Sequence, residues 1–137
     1  MAERRAACPT HLHHVGVVVD DLEQAVRFYV ETLGLSLESR TDLPEKNLRL
    51  AFLGGVGGRV ELLEYQGERA GKAPKGTVDH VALAVRDLGP AIALLEQAGV
   101  VERDAEPRPG PGGKRIYFFR GLSGERIELV EVGALGA

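Results

Sequence analysis

The chain has 137 residues, 44% hydrophobic and 27% charged, which is the size and balance of one ordinary globular domain. A formal charge of -3, with lysine and arginine scattered among acids, leaves no basic face and excludes a nucleic-acid partner. The apolar runs fall far short of the roughly 20 residues that span a bilayer. Residues 1–10 lack the apolar stretch of a secretory signal, and the single cysteine, Cys8, closes no internal disulfide, so a cytoplasmic location without membrane contact is expected.

After an N-terminal arm over residues 1–10, alternation and β-branched density predict a strand from His11 to Val19. Asp20-Asp21 offers an N-cap to a helix in which Leu22, Ala25, Val26, Tyr29 and Val30 recur at helical spacing, with its stop near Leu33-Gly34. Strands follow over Leu35 to Arg40, Leu48 to Leu53 and Arg59 to Tyr65, separated by a proline turn at Leu43 to Lys46 and the loop Gly54 to Gly58. No helix and no Lys-Ser/Thr pair follows that loop, so it reads as a hairpin rather than a phosphate cradle. Residues 66–77 are polar, rich in Gly and Lys, and read as a linker.

The same order then returns. A strand is predicted over Asp79 to Val85, then a helix from Leu88 to Ala98 with Pro90 in its first turn and Gly99 as its stop, then a short strand near Val101 to Asp104. Glu106 to Gly113 reads as a long loop placed to act as a lid, and strands over Lys114 to Phe119 and Glu125 to Val132 precede a frayed tail at 133–137.

The repetition extends to residue identities. His14 to Asp21, HVGVVVDD, is answered by His80 to Asp87, HVALAVRD. Arg49-Leu50 and Phe52 recur as Arg115-Ile116 and Phe118, and Arg59 to Glu64, RVELLE, recurs as Arg126 to Glu131, RIELVE. Internal repeats decide the architecture before anything else. The expected fold is α+β: one domain over 11–132, made of β-α-β-β-β modules at 11–65 and 78–132.

Side chains alternate faces along a strand. Val15, Val17 and Val19 share one apolar face, as do Val81, Leu83 and Val85, Val60 with Leu62, and Ile127 with Leu129. These faces are expected to pack under the helices. His14, Glu61, His80 and Glu128 all fall on the other face, with the small residues Gly16 and Ala82 beside the histidines. Two imidazoles and two carboxylates suit one divalent cation of borderline hardness (Ni, Zn, Co, Mn or Fe), with positions left for water or substrate. His11 and His13 have no repeat partner on that face and read as solvated arm residues. Glu64 and Glu131 lie on the helix side and read as surface carboxylates. Arg59 and Arg126 flank the glutamates, placed either to meet a substrate anion or to neutralise nearby carboxylates.

Residues 11–132 resemble the vicinal-oxygen-chelate superfamily, which includes glyoxalase I, methylmalonyl-CoA epimerase, fosfomycin-resistance enzymes, extradiol dioxygenases and bleomycin-resistance proteins. The stretches that carry the resemblance are HHVGVVVDDLEQAVRFYVETLGL, RVELLE, VDHVALAVRDL and GGKRIYFFRGLSGERIELVE. The resemblance implies modules that pair into a curved, half-barrel mixed sheet around a central cleft, a homodimer, and a metal held by His14, Glu61, His80 and Glu128. It implies proton abstraction next to a carbonyl, through an enolate or enediolate, with Glu128 as the base and Glu61 as its partner.

The implied small-molecule substrate is a thiol adduct of a 2-oxoaldehyde, as in glyoxalase I, or an acyl-CoA, as in the epimerase. The ligand set and the Gly-Glu-Arg-Ile-Glu-Leu ending favour a glyoxalase-like lyase or isomerase, although Val18 and Tyr65 stand where glyoxalases often carry Arg and Asn. The epimerase alternative is favoured by Leu43-Pro44-Glu45 and EPRPGPGGKRIYF, and opposed by Arg120-Gly121-Leu122 in place of His-Pro-Lys. A metal-free binding or resistance protein is the outside alternative, opposed by retention of all four ligands.

Overall fold

A computed structural model describes residues 7–55, 57–100 and 106–133. The short strand expected near Val101 to Asp104 lies outside the described residues, as do residues 1–6 of the arm and 134–137 of the tail. The chain divides into two compact units: residues 14–79, and the half from His80 onward together with the start of the chain up to His13. The architecture is the α+β, two-module fold expected from the sequence.

The first module contains β1 (His11–Val18), α1 (Leu22–Arg27), β2 (Ser36–Leu43), β3 (Leu48–Gly54) and β4 (Val60–Tyr65). Its strands lie in the order β2-β3-β4-β1, with β1 parallel to β4 and the other pairs antiparallel. The register sets Gly16 and Phe52 on either side of Glu61, and Val17 and Ala51 on either side of Leu62. Leu62 therefore faces the helix, in a cluster with Leu22, Val26, Leu35, Ala51 and Leu53. The opposite face is also apolar: Leu48, Leu50 and Leu63 are buried there beside Phe52 and Tyr65.

Asp21 caps α1 by accepting from the Gln24 N–H at 3.1 Å, as the sequence predicted. The helix does not run uniformly to Gly34. It passes at Phe28–Thr32 into a single π-helical turn, with Leu33 N–H bonded to the Phe28 carbonyl at 3.1 Å. Gly34 (φ 81°) then takes the left-handed conformation that reverses the chain into β2.

The second module contains β5 (Val78–Val85), α2 (Leu88–Ala98), β6 (Arg108–Pro109), β7 (Arg115–Arg120) and β8 (Arg126–Glu131), in the order β5-β8-β7-β6. The pairing repeats that of the first module. Glu128 lies between Ala82 on parallel β5 and Phe118 on antiparallel β7. Leu88, Ala91, Tyr117, Phe119 and Leu129 form the core under α2. Val81, expected on that covered face, is instead 36% exposed. The stretch 106–113, expected as a loop, contains β6, whose Arg108 and Pro109 pair with Ile116 and Arg115.

Glu64 and Glu131 correct another expectation. Neither is a simple surface carboxylate. Glu64 accepts from the Leu22 N–H at 2.9 Å, and Glu131 accepts from the Leu88 N–H at 2.9 Å. The last glutamate of each module thus satisfies a first-turn donor that its own helix leaves unpaired, and places negative charge at the positive end of the helix dipole. Asp87 makes no side-chain capping bond, so Glu131 carries more of this task in the second module. Glu131→Ala should cost about 0.5–2 kcal/mol in urea unfolding, and more than Glu64→Ala, because Asp21 still caps α1 in the latter.

A charge network ties α1 to the sheet. Glu23 binds Arg40, and also Arg49 at 2.9 Å, while Arg49 reaches Asp42 at 3.2 Å. The hydrogen bond from Arg40 is the main cause that holds the Glu23 carboxyl down from 4.5 to about 2, with Arg49 adding to it against the opposing effect of burial. Since the folded value lies below the unfolded one, the pairing stabilises above pH 4.5 and is lost as pH falls through about 2. In Glu23→Gln, the stability difference from the parent chain should shrink across that window and with added salt. Urea titrations at several pH values measure it.

Candidate metal centre

Strand parity places one histidine and one glutamate on the same face of each module, and the structure brings each such pair into contact. In the first, His14 Nε2 stands 3.3 Å from Glu61 Oε1, with side chains 3% and 5% exposed. In the second, His80 Nε2 stands 3.1 Å from Glu128 Oε1, with the same exposures. The reason is the register. Parallel β1 and β4 set Gly16 beside Glu61, and β5 and β8 set Ala82 beside Glu128. A small residue there leaves the preceding histidine room to lean over the carboxylate.

A phenylalanine holds each imidazole from the other side. The Phe52 ring meets His14 edge to face, with centroids 5.0 Å apart, and Phe118 meets His80 in the same way at 5.6 Å. Both are cross-strand neighbours of the glutamates. The sequence carried this signal, since Phe52 and Phe118 recur between the modules, but an aromatic on a strand is more often plain core.

Burying ionisable groups in apolar surroundings is costly unless they are paired or bind a cation. Two donors bound to one ion at about 2.1 Å stand about 3.0–3.4 Å apart for bond angles between octahedral and tetrahedral. The His14–Glu61 and His80–Glu128 separations of 3.3 and 3.1 Å match that spacing. They are longer than the about 2.7–2.9 Å of a charge-assisted N–H···O bond. In donor chemistry, burial and separation, each pair fits a divalent ion.

Other residues singled out from sequence fall differently. His11 is exposed and hydrogen-bonds Thr10 at 3.0 Å. His13, expected to be solvated, is buried at 8% exposure. It stands in β1 between exposed Leu12 and buried His14, and nothing in the sequence marks what covers it. Arg59 is engaged by Glu38 at 3.0 Å. Its repeat counterpart Arg126 lies over the Phe118 ring, 3.9 Å from the centroid, with Arg108 at 5.0 Å. The Tyr65 hydroxyl donates to Asp79 at 2.7 Å. Among the described residues, no helix is long and apolar enough to cross a membrane.

Residues 11–129 match the family model of the Glyoxalase/Bleomycin resistance protein/Dioxygenase superfamily. The ethylmalonyl-CoA/methylmalonyl-CoA epimerase of Cereibacter sphaeroides is 33% identical over 88% of this chain and 97% of its own length. The lactoylglutathione lyase of Haemophilus influenzae is 33% identical over 86% of this chain and 90% of its own. Among solved structures, a variant of Streptomyces coelicolor methylmalonyl-CoA epimerase in complex with 2-nitronate-propionyl-CoA superposes with a TM-score of 0.79 at 30% identity, covering 93% of this chain and 100% of that one. With a family model spanning nearly its whole length and relatives that include both epimerases and lyases, the chain belongs to the glyoxalase/bleomycin resistance/dioxygenase superfamily.

Proposed function

We propose that this protein is a divalent-metal-dependent, glyoxalase-like lyase or isomerase that moves a proton on the carbon next to a carbonyl. The observation that carries the reading is the repeated, buried imidazole–carboxylate pair, His14 with Glu61 and His80 with Glu128. The two pairs together supply the ligands of one ion, either within a chain or between two copies. When bound, the ion supplies Lewis acidity toward the oxyanion that develops on the carbonyl, a contribution of several kcal/mol to the barrier.

Glu128 is the base. Its carboxylate takes the proton from the carbon and leaves the electron pair delocalised as an enolate, and proton return then decides the product. Return to the neighbouring carbon converts a 2-oxoaldehyde thiol adduct into a 2-hydroxy thioester. Return to the opposite face of the same carbon epimerises an acyl-CoA, and Glu61 is the partner group for that step. Burial of Glu128 at 4% exposure keeps bulk water from competing for the proton. The methylmalonyl-CoA epimerase reading stands beside the glyoxalase-like one because relatives of both kinds match at 33% identity.

The test is a solvent-exchange assay in deuterium oxide with metal-loaded protein. The substrates are the methylglyoxal hemithioacetals of glutathione and other thiols, and the separate methylmalonyl-CoA epimers. Deuterium entry next to the carbonyl, dependent on the metal, is expected for one class. Absence of exchange in all of them overturns the enolate reading.

A further inference from the structure

Residues 66–77 read as a linker in sequence, yet they are bound to the first module along their length. The Gln66 N–H donates to the Asn47 carbonyl at 2.8 Å. The Arg69 guanidinium lies over the Tyr65 ring, 4.3 Å from its centroid, and donates to the Lys46 carbonyl at 3.1 Å. Lys75 pairs with Asp20 at 2.9 Å. The Gly76 N–H then reaches the Val18 carbonyl at 2.7 Å, and the Val18 N–H reaches the Thr77 carbonyl at 3.0 Å. At the end of this strap the Asp79 carboxylate accepts from the Tyr65 hydroxyl at 2.7 Å.

From these bonds we infer that Tyr65 and Asp79 are positioning residues for His80, acting through the strand entry that carries it. The inference rests on the proposed role of His80 as a metal ligand and adds what holds that ligand in place.

The way β5 is held makes His80 sensitive to its entry. The ladder of β5 with β8 begins at Val81, which pairs with Ile127, so His80 stands one residue before its first rung. The boundary between the two compact units falls between Asp79 and His80. Asp79 and His80 are joined by one planar peptide, with only the soft dihedrals on either side of it free to turn. Fixing Asp79 therefore fixes where the His80 side chain starts.

The repeat uses the same device twice. Thr10 and Gly76 each stand four residues before a histidine of the site, and Val18 and Ala84 four residues after one. The Thr10 N–H donates to the Ala84 carbonyl at 2.8 Å, as the Gly76 N–H does to Val18. The ladder of β1 with β4 likewise begins one residue after His14, at Val15. The Thr10 hydroxyl adds a bond to the Ala84 carbonyl at 3.3 Å, whereas on the way to His80 the added side-chain bond is Tyr65 to Asp79.

Tyr65 is built to hold its partner. A separation of 2.7 Å is the usual length of a good O–H···O bond. The tyrosine backbone pairs with Leu48 of β3, and Arg69 covers one face of the ring, so the phenol gives up little freedom when it meets Asp79.

Cobalt(II) is the probe, because its visible spectrum reports ligand geometry as well as occupancy. The purified chain is titrated with cobalt in competition with a chelating dye, beside NMR of the His80 ring in the metal-free chain. Tyr65→Phe and Asp79→Ala should each weaken cobalt binding about 10-fold, as loss of an outer group that orients a ligand does, and should alter the visible spectrum. Urea midpoints show that the variants remain folded. Asp79→Asn keeps an acceptor oxygen and should restore most of the affinity. The double variant Tyr65→Phe/Asp79→Ala should bind no more weakly than either single, since both remove one bond. In the metal-free chain the His80 ring signals should broaden in both single variants, while those of His11 stay unchanged. Folded variants with the parent's cobalt affinity and spectrum, or single losses that add in the double, would overturn the positioning role. If the parent takes up no cobalt, the ring signals decide alone. Broadening in the variants would then remove the metal reading and leave the strap standing, and unchanged signals would overturn the strap.

Discussion

Glu128→Gln should fold like the parent chain and lose at least about 10²–10⁴-fold in turnover, the usual contribution of a positioned general base. The substitution keeps shape and volume between Ala82 and Phe118, so the strand register and the core under α2 are unchanged. What disappears is a group that can take a proton. The loss should fall on kcat and kcat/KM together, because proton transfer belongs to the transition state and not to substrate binding. Steady-state kinetics beside a urea transition measure both halves of the claim. Full activity in a folded variant would remove Glu128 from the mechanism.

Leu62→Ala should produce the converse. Leu62 is next to Glu61 in sequence but faces the helix, with no exposure, packed among Leu22, Val26, Leu35, Ala51 and Leu53. Truncation opens a cavity between the sheet and α1 and should cost about 2–5 kcal/mol, a large share of the roughly 5–15 kcal/mol that holds such a chain together. Under conditions where the variant remains folded, its activity per molecule should stay within a few-fold of the parent, since the side chain does not reach the His14–Glu61 face. Urea midpoints show the first effect and kinetics at low temperature the second. A cost below 1 kcal/mol would mean that the α1 cluster is not the main core of the first module.

These neighbouring residues show why the fold was legible. The strand period of two assigns Glu61 and Leu62 to opposite faces without any structure, and repetition in the second module doubles the signal. The helix of the second module matched its predicted bounds, Leu88–Ala98, because Pro90 and Gly99 punctuate it at both ends. The site's local pairing was also readable as parity, which put His14 with Glu61 and His80 with Glu128.

The rest depended on contacts that no local pattern encodes. β6 was missed because Pro and Gly dominate residues 106–113, and a strand of two residues has no periodicity to display. The π-helical turn at Phe28–Thr32 has the same apolar spacing as an α-helix. The capping roles of Glu64 and Glu131 require the end of β4 or β8 to meet the start of a helix about 42 residues earlier in the chain. Arg59 and Arg126 occupy equivalent places in the repeat, and only the structure shows that Glu38 engages the first and that the Phe118 ring lies under the second.

The proposed function requires that His14, Glu61, His80 and Glu128 hold one divalent ion. Elemental analysis of the purified protein by plasma mass spectrometry, beside the His14→Ala/Glu128→Ala double variant, tests it most directly. One divalent ion per chain, lost in the double variant, is the predicted result. No metal, and none taken up on adding Ni, Co, Zn or Mn, would contradict the claim and leave a small-molecule binding module as the function to pursue.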